Sequence, residues 1–241
     1  MNALGTKDPA VKQHVASILA ELPAERNDQL FDQLKKLLDA ESDPLTSRHL
    51  LHGLVRQSET LPDKKRIALV GSLIRDGWID RLGKQPVLFA LAEIGGKEAE
   101  DFLLQNFDQS MLGNEAGQKR DAVDLLLRLR QPAATGKLLD LARDPKAPEY
   151  LRKLIHSGVG HLPHDEKIDT HLMQVIQNKQ LSPDERIEAV KSLNKIQKSL
   201  DSKGLDSGKI RDALKDLLKT GVDDAALQKS LKDSLDDDFR W

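Results

Sequence analysis

A chain of 241 residues with 37 basic and 39 acidic side chains carries a formal charge of −2, without the basic excess of a dedicated nucleic-acid binder. Apolar residues make up 39% and aromatic residues only 3%, which suits small, closely packed helices and not a β-sandwich, whose strands favour aromatic and β-branched side chains. No cysteine is present, so disulfides and thiolate chemistry are excluded, and no apolar run reaches the roughly 18 residues of a membrane span.

The opening stretch MNALGTKDPAVKQHV contains no apolar segment of signal-peptide length. The expected location is the cytoplasm, with export of a bacterial effector by a signal-less route as the alternative. Prolines then punctuate the chain in two alternating sets. Asp8-Pro9, Asp43-Pro44, Gln85-Pro86, Ala147-Pro148 and Ser182-Pro183 mark starts of first helices. Leu22-Pro23, Leu61-Pro62, Gln131-Pro132 and Leu162-Pro163 fall between paired helices, where proline and its neighbours break a helix.

In chain order, the first predicted pair is Pro9–Leu22 and Asn27–Asp39, with Asp8 as N-cap and Leu30, Phe31, Leu34, Leu37 and Leu38 as the apolar stripe. The second pair is Pro44–Arg56 and Asp63–Arg75, followed by a loop, 76–84, that carries Trp78. The central pair lies in QPVLFALAEIGGKEAEDFLLQNFD (85–108). Here Val87 to Ile94 are almost wholly apolar, Gly95-Gly96 provides a left-handed cap, and Ala99, Phe102, Leu103 and Phe107 share one helical face. The fourth pair is Gln118–Arg130 and Ala133–Arg143, and the fifth is Pro148–Val159 and Asp165–Gln177. The sixth runs from Pro183 to Lys198 and from Lys209 to Lys219, with Ser182 and Glu185 spaced as a capping box. Asp223–Leu235 reads as a terminal capping helix, before a tail ending in Phe239-Arg240-Trp241.

Successive turns lie roughly 31 to 41 residues apart, the period of helical-repeat arrays. The central segment PVLFALAEIGGKEAEDFLLQNFD resembles a HEAT-like repeat, with an apolar first helix, an Ile-Gly turn and a second helix bearing Ala and paired Leu. DAVDLLLRLRQPAATGKLLDLAR (121–143) is similar to a weaker copy of it. The resemblance implies an all-α fold: a right-handed α-solenoid of about six antiparallel helix pairs, with second helices on the concave side. The whole chain, 1–241, is expected to form one helical-repeat domain.

Chemical motifs are sparse. His156, His161, His164 and His171 cluster, but a proline turn separates them and they lack the spacing of a zinc site; they are expected to face solvent or cap helices. His49 and His52, three apart on one helix, have no further ligand beside them. The two glycine-bearing loops, 95–97 and 113–117, lack the preceding strand and the Lys-Ser/Thr ending of a phosphate loop, and no nucleophile elbow occurs. The HEAT-like family includes a di-iron hydroxylase of protein lysine, marked by His-Glu dipeptides that this chain lacks. It also includes bilin lyases and a DNA glycosylase, none of whose catalytic residues can be placed here.

These features lead to the expectation of a non-enzymatic scaffold without cofactor or metal. It would bind a protein or peptide partner, not nucleic acid or membrane, along a concave groove. Positions about 160° from each apolar stripe, at about 100° per residue, are Asp32 and Lys36, Asp101 and Gln105, Asp140, Thr170 and Gln174, and Asp212 and Asp216. They form an acid-rich ladder suited to a basic partner; Trp78 is expected to plug a gap between the second and third repeats, with an exposed aromatic anchor for a partner as the alternative. The alternative is a small enzyme or nucleic-acid-processing protein built on the same solenoid, glycosylase-like or lyase-like.

Overall fold

The computed structural model describes residues 8–22, 28–109, 111–220, 222 and 224–236. Among them there are fourteen helices and no strand, and no helix is long and apolar enough to cross a membrane. The chain forms two compact units, Met1–Gly113 and Asn114–Trp241.

The first unit contains α1 (Pro9–Ala20), α2 (Asp28–Ala40), α3 (Pro44–Ser58), α4 (Asp63–Arg75), α5 (Trp78–Leu82), α6 (Lys84–Ile94) and α7 (Lys97–Gln105). Its helix starts are set locally. Asp8 accepts from the Ala10 N–H at 2.9 Å, and Asp43 accepts from the Thr46 N–H at 2.7 Å and the Thr46 hydroxyl at 2.6 Å. These bonds satisfy first-turn N–H groups that a helix leaves without internal partners. Helices α1, α3 and α6 form one row and α2, α4 and α7 a second row against it, which is the layered packing of an α-solenoid. α2 buries Phe31, Leu34 and Leu38 on a single face, each contributing roughly 1.5–3 kcal/mol of transfer free energy. α6 buries Val87, Leu88, Ala90, Leu91, Ala92 and Ile94 because α3, α4, α5 and α7 pack around it.

Two local expectations are corrected here. Gly95 and Gly96 do have positive φ, 68° and 89°, but ψ of −160° and 159° makes both extended. This is a region essentially reserved for glycine, not the left-handed cap. The loop 76–84 contains the extra helix α5, entered through Gly77 at φ 72°. Trp78 opens that helix and is 2% exposed, so it is no surface anchor. Its Nε1 donates to Ser72 Oγ at 3.4 Å, and the Arg81 guanidinium lies over its ring, 4.1 Å from the centroid. α5 packs on α3, α4 and α6, so Trp78 plugs the step between the second and third helix pairs.

The second unit contains α8 (Ala116–Leu129), α9 (Pro132–Arg143), α10 (Glu149–Val159), α11 (Glu166–Gln177), α12 (Pro183–Ser202), α13 (Gly208–Thr220) and α14 (Ala225–Asp236). Here α8, α10, α12 and α14 form one row, and α9, α11 and α13 lie on its other side. α14 packs on α12 and α13, in the place the next first helix of the array would take. Gly160 ends α10 tight against α12: a Cβ there would lie 3.0 Å from Ser192 Cα. Only half of the capping box at Ser182 is made. Ser182 Oγ accepts from the Glu185 N–H at 3.3 Å, while the Glu185 carboxylate turns inward to Arg152. The expectations for Pro23 and for Phe239 and Trp241 lie outside the described residues.

Candidate functional site

The turn before α11 and the first turn of that helix build a histidine–carboxylate pair. Asp165 caps α11, accepting from the Lys167 N–H at 2.9 Å. This holds His164 just outside the helix, beside the residue at its fourth position, Asp169. The His164 Nε2 to Asp169 Oδ2 distance is 2.8 Å. A carboxylate can only accept, so Nε2 donates, and in the neutral imidazole Nδ1 keeps the lone pair. The two side chains are 36% and 20% exposed. Asp169 Oδ1 is shielded from solvent and accepts no hydrogen bond from the protein.

This pair lines a cavity of about 680 Å³ between α11, the end of α12 and the start of α13, within the range of small-ligand sites. Met173, Leu200, Ile210 and Ala213 supply its apolar surface. Glu166, Asp206 and Lys209 stand at its exposed rim. Lys209 Nζ is 3.5 Å from Glu166 Oε1, and Asp206 accepts from the Gly208 N–H at 2.7 Å. The Thr170 hydroxyl donates to Glu166 O at 2.8 Å.

A second polar cluster is buried among α10, α11 and α12. Arg152 donates to Glu185 through Nε at 2.9 Å and Nη2 at 3.1 Å, and through Nη1 to Ala147 O at 2.5 Å. His156 and His171 are 0% and 2% exposed, with ring centroids 5.2 Å apart. Neither nitrogen of His156, nor His171 Nε2, has a hydrogen-bond partner in the protein. Burial drives the pKa of His156 down to about 3, helped by His171 and Arg152. Burial, with Arg143, takes His171 to about 4. Both are therefore neutral packing groups, which corrects the expectation for these two of the four histidines, whereas His161 and His164 are exposed as expected. Periodicity could have exposed the error: His156 follows Leu151 and Ile155, and His171 precedes Leu172 and Val175, on faces that are buried. Among the described residues no three His, Asp or Glu side chains converge as a metal ion requires.

The ladder positions divide between the two units. In the first, Asp32 and Lys36 are exposed, and Lys65 Nζ lies 3.1 Å from Asp32. Asp101 is 3.1 Å from Lys97, and Gln105 is exposed on the same helix. In the second, Asp140 faces Arg143 at 3.6 Å and Asp216 faces Lys219 at 3.3 Å, while Asp212 is exposed. Four of these five carboxylates thus already have a cation beside them. Thr170 and Gln174 line the cavity described above. His164 and Asp169 were not singled out as a pair from the sequence. The available signal was a histidine one position before a capping aspartate, with a second carboxylate one turn into the helix.

No known family model matches the chain, and no curated protein matches its sequence. Solved structures similar to it include the following two. Human deoxyhypusine hydroxylase in complex with glycerol has 14% identity and a TM-score of 0.44, over 97% of this chain and 81% of the other. The complex of CpcE and CpcF of phycocyanin lyase from Nostoc sp. PCC7120 has 15% identity and a TM-score of 0.49, over 98% and 91%. Both of those proteins are enzymes, a hydroxylase and a lyase, whereas a non-enzymatic scaffold was the expectation here; likenesses of this strength carry no argument for either. No residue role is transferred at these scores, and what this chain does rests on its own cavity.

Proposed function

We propose that the chain is a small enzyme that works by proton transfer, in the manner of a lyase, on a molecule held between α11, α12 and α13. The observation that carries this reading is the 2.8 Å His164–Asp169 pair lining that cavity. His164 Nδ1 is the base, and Asp169 holds the tautomer and stabilises the imidazolium as it forms. The same imidazolium then returns its proton to the leaving or rearranged group. Covalent catalysis is disfavoured: the chain has no cysteine, the Thr170 hydroxyl is spent on Glu166 O, and Lys209 stands beside a carboxylate. The acidic rim disfavours the nucleic-acid alternative, because Glu166 and Asp206 would meet phosphates with like charge.

The test incubates wild-type protein and His164→Asn with a small-molecule extract in heavy water, followed by mass spectrometry. Wild type is expected to convert or deuterate particular species that the variant leaves alone. Identical extracts after both incubations would overturn the proposal.

A further inference from the structure

We infer that the second unit holds another ligand site, a cavity for a small carboxylate, received by Arg143 and His171. The cavity measures about 400 Å³ and lies between the C-terminal ends of α9 and α11, beside Arg152 near the start of α10. It is a different space from the one at His164, although Gln174 borders both.

The floor of this cavity has a polar group in need of a partner. His171 lines it and is 2% exposed. Its Nε2 is shielded from solvent and unpartnered. Nδ1 has no protein partner either but is not shielded, which makes it the ring nitrogen open to the cavity. A neutral imidazole can donate or accept there, according to its tautomer. A polar group in so buried a place is costly to leave unmatched, and the walls decide which kind of partner it takes.

Those walls are rich in unspent donors. Arg143 makes no hydrogen bond among the described residues; its nearest anion is Asp140, 3.6 Å away. Its charge lies close enough to His171 to help keep the ring neutral. Arg152 spends three N–H groups on Glu185 and Ala147 O and keeps two. Against these stands one lining carboxylate, Asp144, which already accepts from the Lys146 N–H at 2.8 Å. What the cavity lacks is an acceptor. A carboxylate supplies two oxygens in a plane that matches the guanidinium fork of Arg143, and one of them can accept from His171 Nδ1–H. An ammonium would meet the Arg143 charge, and the second charge of a phosphate would meet Asp144. Ala142 and Val175 are buried and Leu181 is half-buried; they give a small hydrocarbon body an apolar wall against which it leaves water.

Benzoate, benzamide and benzamidine have nearly the same shape and carry negative, zero and positive charge. Titrating each into the isotope-labelled full chain at constant ionic strength isolates the effect of charge. Methyl resonances of Ala142, Val175 and Leu181 report this cavity, and those of Met173 and Ile210 report the one at His164. Benzoate is expected to move the first set at the lowest concentration and benzamidine at the highest. Arg143→Gln should weaken benzoate about tenfold or more, the scale of a lost charge-assisted hydrogen bond. His171→Phe, which keeps a ring in place without its nitrogens, should weaken it as well. Lys146→Gln removes an exposed cation outside the lining and should leave benzoate binding unchanged. The assignment is overturned if benzamide or benzamidine matches benzoate, if Arg143→Gln has no more effect than Lys146→Gln, or if benzoate moves only the Met173 and Ile210 resonances. Silence from all three probes at the first set overturns it too, and leaves the reading of the His164 cavity untouched.

Discussion

Arg152 on α10 grips the Glu185 carboxylate on α12 with two N–H···O bonds of 2.9 and 3.1 Å, and Glu185 is 1% exposed. The two residues are 33 apart in sequence, and their pairing pins successive first helices of the array together. The bond to Glu185 raises the Arg152 pKa above its ordinary value, against some opposition from burial.

Removing only the cation should therefore hurt more than removing both charges. Arg152→Met leaves an uncompensated buried carboxylate and is expected to cost about 3–5 kcal/mol, whereas the double variant Arg152→Met/Glu185→Met should recover most of that loss. Urea unfolding followed by circular dichroism measures both. Equal losses in the single and double variants would show that the pair acts through shape and not charge.

The buried histidines make the protein acid-sensitive. Their folded pKa values of about 3 and about 4 lie below the roughly 6.5 of an unfolded imidazole. Their contribution is present in full above about pH 6.5. It falls as the pH drops toward 4 and then 3, because the unfolded chain binds protons that the folded chain does not. Each histidine adds a slope of about 1.4 kcal/mol per pH unit within its window. Stability measured between pH 7 and pH 4.5 should therefore fall steeply, and His171→Gln should flatten the fall whatever it does to stability at pH 7. An unchanged slope in that variant would assign the acid sensitivity to other groups.

Gly95→Ala should destabilise the first unit although nothing lies within 4 Å of the new Cβ. The cost is conformational: a φ of 68° with a ψ of −160° is strained for any residue with a Cβ, by about 1–3 kcal/mol. Thermal melts of the variant and the wild type measure it, and equal midpoints would rule the strain out.

Trp78→Ala is expected to cost about 3–5 kcal/mol, as for other large-to-small changes of buried aromatics, because the side chain is 2% exposed between Ser72 and Arg81. Chemical denaturation gives the value. A loss below about 0.5 kcal/mol, typical of a surface position, would restore Trp78 as an exposed residue.

What was legible in the sequence is what short-range physics decides. Asp8 and Asp43 before prolines placed helix starts, because a capping carboxylate needs only the N–H groups of the next turn. The spacing of Phe31, Leu34 and Leu38 placed a buried face, because one helical period repeats along the backbone. Contacts between helices have no such local signature. The Ser182–Glu185 spacing reads as a cap, yet Glu185 prefers the Arg152 fork offered by another helix. His156 and His171 read as polar, yet packing among α10, α11 and α12 leaves them dry and neutral. His164 and Asp169 are only five residues apart, but their 2.8 Å contact depends on the path of the turn before α11. The cavity beside them takes walls from positions 164 to 213 on three helices. Periodicity tells each helix which side to bury, and only the packed array decides which side chains meet across the gaps between helices.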